Sequence, residues 1–377
     1  MRDYSQEFLD FAPTIYLDCA YQGPFPRVTV ERIQQAIELK CHPDRLAAPE
    51  YFDLPNRVRR QIAALVGADP SEIALTNSTT QGVGIVATGL GLQAGDEVVV
   101  ATTNFPANLF TWLQLRRLGV IVHVLKPAQS EVTVEQVAAA LNPRTRVLAL
   151  DWVGYSSGYR IDLNVLGEMV HRQGGIFVVD GTQGVGALDL NLHALPVDVM
   201  AVAAYKWLLS PYGTGFVYLS HAAQDLLTVQ VVNWSSVEGS EDFDALPTDR
   251  FTLPKEARVF DVPETASFLN LYGLEASLEF VQHATVSAVT KHCWHLLDLL
   301  AEGLRHRGYR LSAAAEAEHR STILAFQGSI LAATTQLHQK LRANHVAVSL
   351  RHGMIRVSPY LYNNAADIDR LLDVASS

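Results

Sequence analysis

From Ile73 onward the chain sets short, almost wholly apolar runs between stretches of helical character. Residues 73–76, 97–101, 146–150, 176–179 and 215–219 read as strands, and 132–141 and 163–172 as helices. A strand that is apolar on both faces needs cover on both, and strands that alternate with helices pair in parallel. The pattern predicts an α/β domain built on a mostly parallel sheet between helix layers. After Leu219 the rhythm changes. A polar loop at 238–242 is followed by a long helix over about 271–305, with a break, and by shorter α and β elements that close with a helix over 366–375. Upstream, 30–65 reads as helices interrupted near Pro43 and Pro49.

Ligands of an open parallel sheet bind beyond the carboxyl ends of its strands, so polar residues there are the candidates for chemistry. The run Val178-Val179-Asp180-Gly181-Thr182-Gln183 ends a strand on a carboxylate, and Tyr205-Lys206-Trp207 puts a lysine on a later loop of the same domain. An amine in apolar surroundings loses proton affinity and becomes a nucleophile. A carboxylate can keep a ring nitrogen protonated, with its own pKa depressed by that cation. Together they form the polar pair that pyridoxal 5'-phosphate requires, the lysine as Schiff-base partner and the aspartate as ring partner. Each residue also has an ordinary reading: a snorkelling lysine, and a hydrogen-bonded aspartate at a strand end.

Other residues at strand ends fit the same pattern. Asn77-Ser78-Thr79-Thr80-Gln81-Gly82 opens a helix and reads either as a phosphate cradle or as a capped polar turn. Phe105 could lie flat on a cofactor ring or fill the core. Gln183 could reach a ring hydroxyl or hydrogen-bond its own loop. Arg351 and Arg356, either side of His352-Gly353-Met354, are candidates to clamp a substrate carboxylate, and Tyr21-Gln22-Gly23 to shape the pocket.

Bulk properties narrow the class. A chain of 377 residues is long for one core, and two domains are expected. A net charge of −10 argues against nucleic acid as a partner. The three cysteines are far apart, the histidines show no HxxxH or HExxH spacing, and the glycines form no GxGxxG, so neither a metal site nor a dinucleotide fingerprint is expected. The polar start of the chain lacks a signal core, no apolar run is long enough for a membrane span, and the cytoplasm is the expected compartment.

Taken in order, these pieces resemble the class V aminotransferases, fold-type I pyridoxal phosphate enzymes grouped with cysteine desulfurases, cysteine C–S lyases, kynureninases and isopenicillin N epimerases. The resemblance runs from Tyr16-Leu17-Asp18 through Asp180-Gly181-Thr182-Gln183 and Tyr205-Lys206-Trp207 to Arg356-Val357-Ser358 and Tyr362-Asn363-Asn364. It implies a large cofactor-binding domain over 25–254 with a seven-stranded sheet, and a small α+β domain from 1–24 and 255–377. It implies that Lys206 carries the cofactor, Asp180 holds its ring nitrogen, Gln183 touches its ring oxygen, Phe105 stacks on it, and Thr79 and Thr80 lie at its phosphate. Tyr205 would take over a phosphate contact, since Ala203 stands where many relatives have serine or threonine. Arg356 would hold the substrate carboxylate. A homodimer is implied, with the site at the subunit interface and Thr265 reaching the neighbouring phosphate.

The departures shape the function expected. Desulfurases carry a catalytic cysteine shortly before the carboxylate-binding arginine, and 349–354 here is short and has none. Kynureninases share phenylalanine and tyrosine at the positions of Phe105 and Tyr205, and their Tyr-x-x-Gly matches Tyr155-Ser156-Ser157-Gly158. The expectation is an aminotransferase acting on a small amino acid through α-proton abstraction by Lys206. A β-eliminating C–S lyase, a kynureninase-like hydrolase or an epimerase is the alternative. A catalytically silent protein of the same fold is the non-enzymatic one.

Overall fold

The structure, a computed structural model, describes residues 4–127, 131–246, 249–262, 268–312, 314 and 316–376. The first elements are β1 (Ile15–Tyr16), α1 (Arg27–Cys41) and α2 (Glu50–Val66). The α/β alternation then runs β2 (Ile73–Thr76), α3 (Thr79–Gly89), β3 (Glu97–Ala101), α4 (Pro106–Leu113), β4 (Ile121–Leu125), α5 (Val134–Ala140), β5 (Thr145–Asp151), α6 (Leu163–His171) and β6 (Ile176–Asp180). Next come β7 (Val199–Ala203), β8 (Gly215–Leu219) and α7 (His221–Leu226), then the long helices α8 (Phe268–Ala284) and α9 (Val286–His306). The chain closes with β9 (Arg310–Leu311), β10 (Leu324–Gln327), α10 (Leu331–Ala343), β11 (Val346–Ala347), β12 (Ser349–Arg351), β13 (Met354–Val357) and α11 (Ala365–Ser376).

Seven strands form the central sheet in the order β2-β8-β7-β6-β5-β3-β4. All its neighbours are parallel except that β8 runs antiparallel to both β2 and β7. Alternation along each strand divides the side chains between two cores. On β5, Leu148 and Leu150 enter one core and Val147 and Ala149 the other. On β6, Phe177 and Val179 enter the first, and Ile176 and Val178 the second. That division is why these strands are apolar at every interior position. Two strands join the five legible in the sequence. β7 is Val-Met-Ala-Val-Ala, with two valines, no aromatic residue and two alanines, a residue depleted in strands. β4 lies at the sheet edge with Ile121 exposed.

The expected long helix is two helices. Thr285 breaks it at φ +65° and caps the second, its hydroxyl accepting from the N–H of Ala288. α8 packs on α1 and α2, where the buried Glu275 receives Arg32 at 2.7 Å and Arg57 at 2.6 Å. Beyond it, β12-β13-β10-β9 form an antiparallel sheet sharing a third core with α9, α10 and α11. β1 pairs in parallel with β11, and Asp18 bridges to Ser358. No helix among the described residues is long and apolar enough to cross a membrane.

The two sheets meet at the end of Tyr155-Ser156-Ser157-Gly158. Gly158 has φ +74°, and a Cβ there would collide with the carbonyl oxygen of Ile323. The glycine is needed both for its backbone conformation and for the close approach. Gly158→Ala is expected to cost about 2 kcal/mol or more, measured by urea denaturation.

Candidate active site

Strand β6 ends on Asp180 and β7 on Ala203. The β7–β8 connection then folds back over the strand ends and carries Lys206, which is 6% exposed. The segment after β1 presses on this loop. The N–H of Gly23 donates to the carbonyl of Tyr205 at 3.0 Å, and a Cβ on Gly23 would strike the carbonyl of Lys206. Only glycine lets the two backbones come this close.

These elements form a well lined by Thr79, Phe105, Asp151, Tyr155, Asp180, Thr182, Gln183, Tyr205 and Lys206, with Val153 and Ala203. The structure thus brings together most of the residues expected at a cofactor. Lys206 Nζ stands 5.2 Å from the centroid of the Phe105 ring and 5.6 Å from that of Tyr205. Burial pulls its amine down to about 8, with Asp180 and Asp151 acting against that fall and Arg356 adding to it. Asp180 accepts from the N–H of Thr182 at 2.9 Å. Its pKa is raised by burial, against hydrogen bonds from Thr182 and the charge of Lys206. The depression expected from a facing ring cation is therefore not a property of the protein's own field.

At α3 the capped-turn reading of the Asn77–Gly82 segment is observed. Ser78 caps the helix, accepting from the N–H of Gln81 at 3.2 Å. The buried Thr79 hydroxyl meets that of Thr182 at 2.8 Å, while Thr80 is exposed. The backbone donors of this first turn lie at the helix N-terminus, where an anion is favoured.

Gln183 lines the well, but both ends of its amide are engaged. Its Nε2 donates to Ala20 O at 3.0 Å and its Oε1 accepts from the indole of Trp207 at 2.9 Å. A ring oxygen could use only the remaining amide hydrogen or lone pair.

The arginines are arranged differently from an open clamp. Arg356 is 2% exposed and does not line the well. It donates to Asp18 Oδ1 at 2.9 Å and to Tyr155 O at 2.7 Å, leaving Nε without a partner. Burial opposes both charges of this pair, raising Asp18 and lowering Arg356. Arg351 is partly exposed, with its guanidinium 5.7 Å from the ring centroid of the exposed Tyr21. Beside it, Tyr155 OH and His352 Nε2 are 2.9 Å apart. Thr265 lies outside the described residues.

Asp151 is the titratable member of the well that the strand pattern did not single out. It ends β5 as Asp180 ends β6, so the rule that selected one carboxylate applies equally to the other. Away from the well, ligand atoms of Asp69, Glu72 and His193 lie within 4.8 Å of one another. Glu72 there is occupied by the N–H of Asp69 at 2.9 Å and by His193 at 2.6 Å.

The sequence profile described as aminotransferase class V matches residues 15–371. The chain belongs to this family. It is 28% identical to a probable cysteine desulfurase of Methanothermobacter thermautotrophicus, over 74% of this chain and 69% of the relative. It is 27% identical to an isopenicillin N epimerase of Streptomyces clavuligerus, over 96% and 94%. Its fold is shared with a C-DES mutant that has glycine covalently linked to the PLP cofactor, at a TM-score of 0.88 and 22% identity, covering 99% and 98% of the two chains. Pyridoxal 5'-phosphate is the cofactor of this family. The residues present fit it: a buried amine of lowered proton affinity, a carboxylate at the floor, an aromatic ring beside the amine, and a helix N-terminus.

Two outcomes follow from this geometry. In cofactor-free protein, labelling of Lys206 by an amine-reactive reagent, read by peptide mass spectrometry, should rise with a midpoint near pH 8. Ordinary lysines should label with a midpoint near ~10.4. Asp18→Ala leaves the guanidinium of Arg356 buried and unpaired, and should lower unfolding free energy by about 3–5 kcal/mol in chemical denaturation.

Proposed function

We propose that this protein transaminates a small amino acid, with Lys206 as the amine that holds the cofactor and moves the substrate's α-proton. The observation that carries the reading is the buried Lys206 amine, with a pKa near 8, in one well with Asp180 and Phe105. Pyridoxal phosphate supplies, when bound, the electron sink for a carbanion at the substrate Cα. An amine that titrates near working pH is neutral often enough to accept the Cα proton at Nζ and to return it elsewhere. Asp180 would hold a proton on the ring nitrogen when the cofactor is bound, and Phe105 and Tyr155 would line its sides. Arg351, at the mouth beside Tyr21, takes the substrate carboxylate, with Arg356 behind it supplying positive potential.

The reading sets aside persulfide chemistry, although several relatives are named cysteine desulfurases. What supports this is the hairpin of β12 and β13, closed by His352 at φ +47° and Gly353 at φ +81°. Such a two-residue turn leaves no loop from which a thiol could swing into the well. Cys19 and Cys293 are buried, with their thiols pushed up by burial, and the exposed Cys41 ends α1. A second reading, epimerisation, is favoured by the Tyr155–His352 pair. It could exchange a proton at a face of the substrate that Lys206 does not serve.

Two experiments separate these reactions. A panel of amino acids is mixed with the purified protein while its absorption spectrum and keto-acid release are followed. Transamination predicts stoichiometric loss of the lysine-linked cofactor band, restored by a keto acid. Inversion of the substrate without keto acid would replace the first reading by the second. Lys206→Ala should abolish turnover and the borohydride-reducible link to the chain, and a variant that keeps an unchanged reducible band would sink the assignment.

A further inference from the structure

We propose that Asp151 is a second carboxylate of the cofactor well, a positioning residue that fixes the Phe105 ring and, with Asp180, makes up the acidic side of the well facing Lys206. The inference deepens the proposed function and rests on reading the well as a pyridoxal phosphate site. Strands β5 and β6 are parallel neighbours in which Asp151 lies opposite Asp180. Residues 147 and 149 on β5, and 176 and 178 on β6, point into one and the same core. By alternation both aspartates leave the sheet on that face, and both line the well with Lys206.

The hydrogen bonds show what Asp151 holds. The N–H of Phe105 donates to its Oδ2 at 2.6 Å, and Nδ2 of Asn108 to its Oδ1 at 3.2 Å. An indole N–H can only donate, and that of Trp112 donates to Asn108 Oδ1 at 3.2 Å. The amide of Asn108 is therefore oriented with its NH₂ toward Asp151. Two donors converge, one on each carboxylate oxygen, which favours the ionised form. Phe105 is the N-cap of α4 and receives no side-chain cap within its own segment. Asp151 instead accepts the N–H of Phe105 itself from the neighbouring strand, near a helix N-terminus that favours a negative charge. The residue whose N–H it holds is the one whose ring stands beside Lys206 Nζ.

The charges around this group are Asp180, Lys206 and Tyr155, and those around Lys206 include Arg356 and Arg351. Burial and Asp180 push the Asp151 carboxyl well above its usual range, and the donors from Phe105 and Asn108 pull it back.

The test uses the full chain loaded with pyridoxal phosphate. In Asp151→Asn, one amide oxygen faces two donors, so one donor loses its acceptor and the well loses a charge. The pH midpoint of the visible band should fall by about half a unit or more. The dissociation constant for pyridoxal phosphate, by equilibrium dialysis, should rise by about 3-fold or more as the Phe105 ring loses its anchor. Asn108→Ala removes one donor without touching either carboxylate, and should shift the midpoint in the same direction by less. The labelling midpoint of Lys206 in cofactor-free protein should fall in step. A loss of stability alone would leave these midpoints in place. The proposal is overturned if both variants keep both midpoints within ~0.2 units of the wild type. If the wild type shows no cofactor band, the functional reading fails, and the labelling midpoints still decide the role of Asp151. If Asp151→Asn does not fold, Asn108→Ala decides alone.

Discussion

A buried amine facing buried carboxylates is the constraint on which this structure turns. Burial lowers the Lys206 amine from 10.5 to about 8, even with Asp180 and Asp151 opposing the fall. It remains titratable because two aspartates at adjacent strand ends oppose that fall. Neither side of this arrangement is favourable alone. An isolated charge in such a well would be expelled or neutralised. The sheet makes the combination possible, because neighbouring parallel strands end side by side and deliver their last residues to one place.

The surroundings serve to keep that place closed. Gly23 lets the segment after β1 lie directly on the Lys206 loop, and Gly158 lets the β5 loop lie against the second sheet. The Arg356–Asp18 pair ties β13 to the segment after β1 and donates to the carbonyl of Tyr155 on the wall of the well. Its net worth as an ion pair is small where both partners are desolvated. Its geometry joins three distant stretches of chain around the active site, and its positive potential is felt at Lys206.

Reading residues against family expectation and against the structure separates two kinds of polar side chain. Asp180, Phe105 and Thr79 stand at single strand or helix termini, and they were legible from the runs beside them, while Lys206 was legible as a lysine on a loop with few charges. Gln183 and Arg356 are placed by contacts with Ala20, Trp207, Asp18 and Tyr155. Nothing local to their own segments shows that these groups are already engaged. Asp151 is a third case: its position was legible, but its importance came from Asn108, Trp112 and Asp180, which only the fold assembles around it.

The sequence by itself determined the α/β class, five of the seven central strands, a strand-end carboxylate and a lysine on a later loop of the same domain. Those features follow from local periodicity and from the rule that strand termini carry ligands. Tertiary structure decided the rest. It placed β8 antiparallel between β2 and β7, and admitted an alanine-rich β7 whose partners, not its composition, make it a strand. It also set the proton affinities, because desolvation depends on what covers a side chain, and the well around Lys206 is lined from segments as far apart as Thr79, Phe105, Tyr155 and Asp180.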